Sequence, residues 1–210
     1  MYTLYYSPGA CSMAVDVLLN EIGAPFTLEN VSSPSGEPRS PEFLKLNPRG
    51  AVPVLTSGDF VLREGAAIMS YLADEHKSTL LPTSGQARAK ALEWLAFANS
   101  TLHPAYGRIF FFHKHLGEKA GENQLYLATV EQIQKLWNEV EQVLTTQDYL
   151  AGKECTLGDI LTTVIANWTP ALKHPITFGP KTKALFNRVI ARPAYQKALA
   201  AEQVTYKVAA

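Results

Sequence analysis

Cysteine is scarce in this chain, with two thiols, Cys11 and Cys155, among 210 residues. A small secreted scaffold held by disulfides carries more, so the chain reads as a cytoplasmic protein with two free thiols. A prevailing charge is absent too: 19 Lys and Arg stand against 19 Asp and Glu. No basic field is left for a phosphate backbone or an anionic lipid surface, which argues against nucleic-acid partners. No apolar run approaches the roughly 18 residues that a membrane helix needs. The opening MYTLYYSPG lacks a positive n-region and a continuous apolar stretch, so no signal peptide and no membrane partner are expected. Neither G-x-G-x-x-G nor a Walker-type loop occurs, which leaves nucleotide cofactors without a seat. What remains is an ordinary globular composition, 47% hydrophobic and 18% charged, long enough for one large domain or two small ones.

The first 76 residues mix strand and helix signals. YTLYY (2–6) is short, aromatic and β-prone, and Pro-Gly follows as a turn. From Ser12 onward Ala14, Val17, Leu18 and Ile22 fall on one helical stripe, which Gly23 and Pro25 stop. FTLENV (26–31) reads as a second strand, followed by a Ser/Pro/Gly-rich loop (32–41) and a short helix around EFLKL. VPVLTSGDFVLRE reads as a hairpin across Ser-Gly-Asp, and a helix with Ala67, Ile68, Tyr71 and Leu72 on one face closes the segment. The order is βαβ, then ββα. KSTLLPTSGQ (77–86) looks like a linker, and beyond it strand signals nearly vanish. Val130, Ile133, Trp137, Val140 and Leu144 step by three or four, and Ile160, Leu161, Val164, Ile165 and Trp168 form a second stripe, so 87–210 reads as a helical domain. Thr156 and Asp159 have capping-box spacing, with Cys155 placed to staple onto Ile160, a structural role for that thiol.

Cys11 lies between the Pro-Gly turn and the first helix. A cysteine in a first helical turn feels unpaired N–H groups and the positive end of the helix dipole, which favour a thiolate. A dithiol cycle needs a partner three residues on, and in C-S-M-A that position is Ala14. Three readings stay open: a nucleophile, a contact to an exogenous thiol, or an inert residue chosen for size. Asn99 and His103 are four apart and share a helical face, with Pro104 expected to kink the helix. His113 and His115 are two apart, so a helix points them to different sides, and without a third ligand no metal is expected.

The βαβ-ββα order, with a cysteine after the first strand and a proline opening the third, resembles the thioredoxin-like fold. The helical extension resembles the cytosolic glutathione transferases. The motifs that carry this are YYSPGACS (5–12), NPRGAVPVL (47–55), REGAAIMSYLAD (63–74) and TLGD (156–159), and the resemblance spans essentially the whole chain. YSPGACS and EGAAIMSYLAD are most similar to the bacterial beta class. The implied fold class is an α/β thioredoxin-like N-terminal domain plus an all-α C-terminal domain. The first, 1–76, would bind glutathione, and the second, 87–210, would serve the electrophilic substrate and the contacts of a homodimer.

The resemblance further implies a cis Val52–Pro53 bond that turns the Val52 backbone toward the cysteinyl part of glutathione. Glu64, Gly65 and Ala66 open a helix and would receive the γ-glutamyl group, with Glu64 meeting its ammonium. The reading in which Glu64 only caps the helix stands beside this. Tyr6, Ala10 and Cys11 line the same implied site, and Ser12 Oγ with the Cys11 N–H are the candidate donors to the glutathione sulfur. Tyr6 matches the tyrosine of other classes and ranks behind the cysteine region. His103, in HPAYG, matches a histidine that the beta class presents to a neighbouring subunit. Pro104 replaces a basic residue there, and Ala96 replaces an asparagine that Asn99 would have to stand in for. Phe110, Phe111, Phe112 and Trp168 are candidates for an apolar electrophile pocket, although each is equally at home in a core. The implied activity is conjugation of glutathione to small hydrophobic electrophiles. Thiol-disulfide exchange through Cys11 and a non-catalytic interaction protein are the alternatives.

Overall fold

A computed structural model of the chain describes residues 1–32 and 39–208. Met1–Thr83 together with Ala191–Thr205 form one compact unit, and Ser84–Ile190 with Tyr206 onward form another. The first is built on β1 (Tyr2–Tyr6), β2 (Phe26–Asn30), β3 (Val54–Ser57) and β4 (Phe60–Arg63), in the order β2-β1-β3-β4. β1 and β2 are parallel, with Leu4 opposite Leu28, and a parallel pair needs a crossover helix. α1 (Met13–Ile22) supplies it. β3 runs antiparallel to β1 and β4, so Gly58 and Asp59 suffice to join β3 to β4, with Gly58 at φ +57°. α2 (Pro41–Leu46) precedes the hairpin and α3 (Gly65–Glu75) follows it, giving the thioredoxin-like βαβ-ββα order. Residues 33–38 of the loop expected at 32–41 lie outside the described residues.

Two details differ from expectation. α1 starts at Met13 rather than Ser12, so Cys11 belongs to the turn before the helix. The cause is local: Ala10 N–H bonds Ser7 O at 3.0 Å and Met13 N–H bonds Ala10 O at 3.0 Å, closing turns that compete with a helical start. The inward side of α3 carries Ile68, Met69, Leu72 and Ala73, whereas Ala67 is exposed and Tyr71 only half-buried.

The second unit contains α4 (Gly85–Ala96), α5 (His103–Leu116), α6 (Gln124–Val143), α7 (Leu157–Ala166) and α8 (Pro180–Ile190). Val130, Ile133, Trp137, Val140 and Leu144 are buried as their spacing predicts. Trp137 and Tyr106 are both buried, and each polar tip is satisfied: Trp137 Nε1–H donates to Tyr106 Oη at 2.9 Å, and Tyr106 Oη lies 2.5 Å from Thr169 Oγ1. The capping box forms with aspartate in place of glutamate. Asp159 Oδ2 accepts from Thr156 N–H at 2.8 Å, and its Oδ1 accepts from Leu150 N–H at 2.8 Å, so one buried carboxylate closes both the helix start and the preceding loop. Cys155 is buried beside this cap. α7 approaches α4 so closely that a Cβ on Gly158 would stand 2.8 Å from the Trp94 carbonyl carbon.

α9 (Pro193–Glu202) belongs with the sheet-containing unit, whereas the sequence pattern grouped all of 87–210 into one helical part. It packs on α1, where Tyr195 and Ala198 are fully buried and Arg192 grips Glu21 with two hydrogen bonds of 2.6 and 2.9 Å. This explains why α1 is buried at every position from Met13 to Leu19 and not along one stripe. At roughly 1.5–3 kcal/mol for each large apolar side chain, that enclosure makes α1 the anchor of the unit.

Candidate active site

The thiol turn, Ser7–Ser12, joins β1 to α1. Gly9 adopts φ +67°, a left-handed conformation that glycine reaches without Cβ strain. The Ser12 side chain is fully buried, and its hydroxyl accepts from Ser7 N–H at 3.3 Å and donates to Ser7 O at 3.3 Å. That hydroxyl locks the turn from within, so the expectation that Ser12 Oγ serves as a donor to a visiting sulfur does not fit the geometry. Cys11 is half-buried and its Sγ donates toward Val52 O at 3.4 Å. Burial pushes this thiol up from 9.0 to about 11, while the Cys11 and Ser12 amides pull it down and the charges of Glu64 and Glu202 add to the rise. The pull of these amides is in the direction the sequence suggested. Desolvation outweighs them, so the free Cys11 is a thiol rather than a thiolate.

Val52 is followed by a cis bond to Pro53, as the resemblance implied, and the residues before it form a tight loop. Asn47, 2% exposed, is its internal brace: Nδ2 donates to Ala51 O at 2.8 Å, and Oδ1 accepts from Arg49 N–H at 3.3 Å. Arg63 Nε donates to Leu46 O at 2.6 Å, tying β4 to the end of α2. The loop therefore presents Val52 O to Cys11 from a fixed frame.

Glu64 stands at the N-terminal end of α3 with φ +72°, in the left-handed region that non-glycine residues seldom occupy. Its carboxylate makes no capping bond; it pairs with Arg49 instead, Nη2 to Oε1 at 2.8 Å, with both side chains about 60% exposed. The capping reading of Glu64 thus gives way to an exposed ion pair above the first amides of α3. Gly65 and Ala66 carry two of those amides, which no carbonyl within the helix can satisfy. Cys11, Val52 and Glu64 are brought to one edge of the unit, since the Cys11 thiol touches Val52 and feels the Glu64 charge. Tyr6 points inward, 8% exposed, and its phenol is held above its usual range by burial and by the carboxyls of Glu202 and Asp16. Ala10 serves the turn through its backbone.

In the helical unit, residues Phe97–Leu102 form a π-helical stretch that ends at His103. Pro104 explains it, because proline removes an N–H and crowds the carbonyl four residues back, and one wider turn absorbs both effects. Asn99 lies inside this stretch and His103 follows it, and both are half-buried. His103 is half-buried, its ring 4.9 Å from Trp168, and burial lowers its pKa. Phe110 and Tyr106 join the same indole at 5.8 and 6.1 Å. Phe111 is separated from this group in the expected pocket: it is 60% exposed and pairs with His115 at 4.2 Å and Phe112 at 6.2 Å. His113 bonds Tyr126 Oη at 3.1 Å. Among the described residues no group of three His, Cys, Asp or Glu is arranged to hold a metal ion.

Sequence reasoning missed Asn47, Arg49, Asp16 and Glu202. Asn47 and Arg49 lay inside a motif already singled out. Asp16 was a visible anomaly, a carboxylate in the middle of the apolar run MAVDVLL. Glu202 carried no signal, because its importance arises from the return of α9 to the sheet-containing unit.

Comparisons with known proteins agree with this arrangement. Residues 9–75 match the family model of the glutathione S-transferase N-terminal domain, and residues 97–193 match that of the glutathione S-transferase C-terminal domain. Glutathione S-transferase GST-4.5 of Xanthomonas campestris is 33% identical over 95% of this chain and 98% of its own. A sphingomonad glutathione S-transferase complexed with glutathione superposes with a TM-score of 0.81 at 30% identity, covering 97% of this chain and 100% of that one. The bacterial beta class glutathione S-transferase of Sphingomonas chungbukensis gives 0.81 at 28% identity, with the same coverage. No helix among the described residues is long and apolar enough to cross a membrane. Two matched domains and a relative aligned over nearly all of its length place this chain in the glutathione S-transferase family.

Proposed function

We propose that the protein is a beta-class glutathione transferase of the cytoplasm that conjugates glutathione to small hydrophobic electrophiles. The observation that supports this reading is the Cys11 thiol turned to Val52 O at 3.4 Å, beside amides that favour charge on sulfur and within the field of Glu64 at the exposed start of α3. Glutathione supplies the nucleophilic thiol. The Cys11 and Ser12 amides stabilise negative charge on that sulfur, as oxyanion-type donors do in a partly dehydrated site. The Val52 backbone pairs with the cysteinyl segment like an added strand. Gly65 and Ala66 amides receive the γ-glutamyl carboxylate, and Glu64 receives its ammonium. A carbon–sulfur bond then forms as the leaving group departs with its electron pair, or as a proton is taken up by the electron-rich neighbour of an activated alkene.

The Trp168 cluster of the helical unit, with His103 and Phe110, is the proposed apolar surface for the second substrate. A homodimer in which His103 acts on the neighbouring copy accompanies this reading. Exchange would need Cys11 itself as a thiolate, and burial pushes this thiol up to about 11. Calorimetric titration with glutathione, followed by a panel of aryl halides, enones, peroxides and mixed disulfides, tests both parts. Saturable binding with turnover of aryl halides or enones supports the proposal; turnover of mixed disulfides alone would replace it with thiol exchange.

A further inference from the structure

Arg49 and Glu64 form an ion pair, Nη2 to Oε1 at 2.8 Å, with 62% and 60% of their side chains exposed. Solvent screens a pair so exposed, and it adds little to folding. Its position is nonetheless fixed from both sides. The Arg49 N–H donates to Oδ1 of Asn47, whose buried side chain is itself tied to Ala51 O. Glu64 follows Arg63, and Arg63 Nε donates to Leu46 O at 2.6 Å, which fastens the end of β4 to the segment that leads into Arg49. Beyond the pair, the Glu64 carbonyl accepts the Ile68 N–H at 2.9 Å and so begins α3.

Arg49 offers a planar fork of N–H donors, and its contact with Glu64 engages Nη2. A carboxylate accepts at both oxygens, so Glu64 keeps Oε2 for a second cation. Arg39 and Arg63, the neighbouring guanidinium groups, are turned instead to Gly50 O at 3.2 Å and to Leu46 O. Arg49 and Glu64 thus present a positive and a negative group side by side at a helix start, where the Gly65 and Ala66 amides have no carbonyl partner within the helix. An α-amino acid head carries the same two charges on one carbon. Laid against the pair in the opposite order, its carboxylate meets the guanidinium and its ammonium meets the Glu64 carboxylate, two charge-assisted contacts at once.

We propose that Arg49 binds the α-carboxylate of the γ-glutamyl group while Glu64 binds its ammonium, so that the ion pair selects thiols with an intact α-amino acid head. This rests on the reading of this edge as the glutathione site. It adds a full positive charge to a carboxylate that the α3 amides alone would meet as neutral donors.

The test uses the full chain, an aryl halide and three thiols that share the cysteinyl-glycine end. These are glutathione, γ-aminobutyryl-cysteinyl-glycine, which lacks the α-carboxylate, and glutaryl-cysteinyl-glycine, which lacks the α-amino group. The readout is the ratio of kcat/KM for glutathione to that for each analogue, because a variant that is merely less well folded lowers both members of a ratio alike. Arg49→Gln is expected to lower the ratio against γ-aminobutyryl-cysteinyl-glycine about tenfold, the scale of a hydrogen bond to a charged group, and to leave the ratio against glutaryl-cysteinyl-glycine within about twofold. Glu64→Gln is expected to show the reverse pattern. A fall of both ratios together in Arg49→Gln would overturn the proposal, as would a rise in the first, which would make Arg49 a competitor of the ammonium for Glu64. Saturable use of glutathione by wild type with both ratios unchanged in Arg49→Gln would overturn this proposal alone. A wild type that neither binds glutathione by calorimetry nor turns it over would overturn the glutathione reading and this proposal with it.

Discussion

Cys11 Sγ rests 3.4 Å from the carbonyl oxygen of Val52, two residues from different loops that meet at the edge of the sheet-containing unit. The contact is a thiol donating to a carbonyl, and burial with the nearby Glu64 and Glu202 charges keeps that thiol protonated against the pull of two amides. Any sulfur that uses those amides has to compete with Cys11 for them.

The first prediction concerns that competition. With its pKa near 11, Cys11 is ionised to only about one part in ten thousand at pH 7. Its alkylation should therefore be slow at neutral pH and climb tenfold per pH step until about 11. Cys11→Ala should leave aryl halide conjugation within a few-fold of wild type while abolishing any glutathione mixed disulfide seen by intact mass. Loss of conjugation together with a large thiolate fraction at pH 7 would point to Cys11 as the working nucleophile.

Glu64 sets stability against binding. At φ +72° its backbone is strained, and its ion pair with Arg49 is exposed and worth little to folding. Glu64→Gly should raise the unfolding free energy by about 1 kcal/mol in urea titrations and weaken glutathione binding about tenfold or more by calorimetry. Unchanged affinity would separate Glu64 from the ligand.

The α4–α7 crossing tolerates no side chain at position 158. A Cβ 2.8 Å from the Trp94 carbonyl carbon meets backbone that cannot rotate away. Gly158→Ala should destabilise the protein by roughly 1–3 kcal/mol, read as a lower urea midpoint. An unaltered midpoint would show that the two helices are not so closely packed.

Much of this was readable in advance. The strands, the hairpin and the inward face of α6 follow from period and turn chemistry, whereas α7 is buried at every position from Leu157 to Ala166. The cis bond at Val52–Pro53 was implied by the motif that carries the resemblance, whereas nothing in the sequence announced the left-handed backbone of Glu64. The π-helical stretch before His103 was not readable, since the sequence expected only a kink at Pro104. The burial of Ser12 and the hydrogen bond from the Gly9 amide to Glu202 were hidden for a different reason. Both depend on partners chosen by tertiary structure, a turn closing on itself in one case and a helix returning over 193 positions in the other.

Stability should also depend on pH in a direction fixed by the buried acids. Burial raises Glu202 from 4.5 to about 8 and Asp16 from 3.8 to about 6, so the folded chain holds protons that the unfolded chain has released. Their contribution is fully present below about pH 4 and is lost as pH rises through 6 and 8. Urea unfolding of wild type should weaken between pH 5 and 8.5 by an amount on the order of a few kcal/mol beyond that of Glu202→Gln. Parallel pH dependence in the two proteins would show that Glu202 keeps an ordinary pKa.

The most direct test is the ultraviolet thiolate absorbance of glutathione titrated onto the Cys11→Ala protein at pH 7, where the variant's one remaining cysteine, Cys155, is buried in the other unit and contributes equally with and without ligand. A saturable thiolate signal, lost in step with binding when Glu64 is replaced, is the predicted result. Saturable binding with the ligand still protonated, or no binding at all, would contradict the claim that the amides of residues 11 and 12 hold a glutathione thiolate.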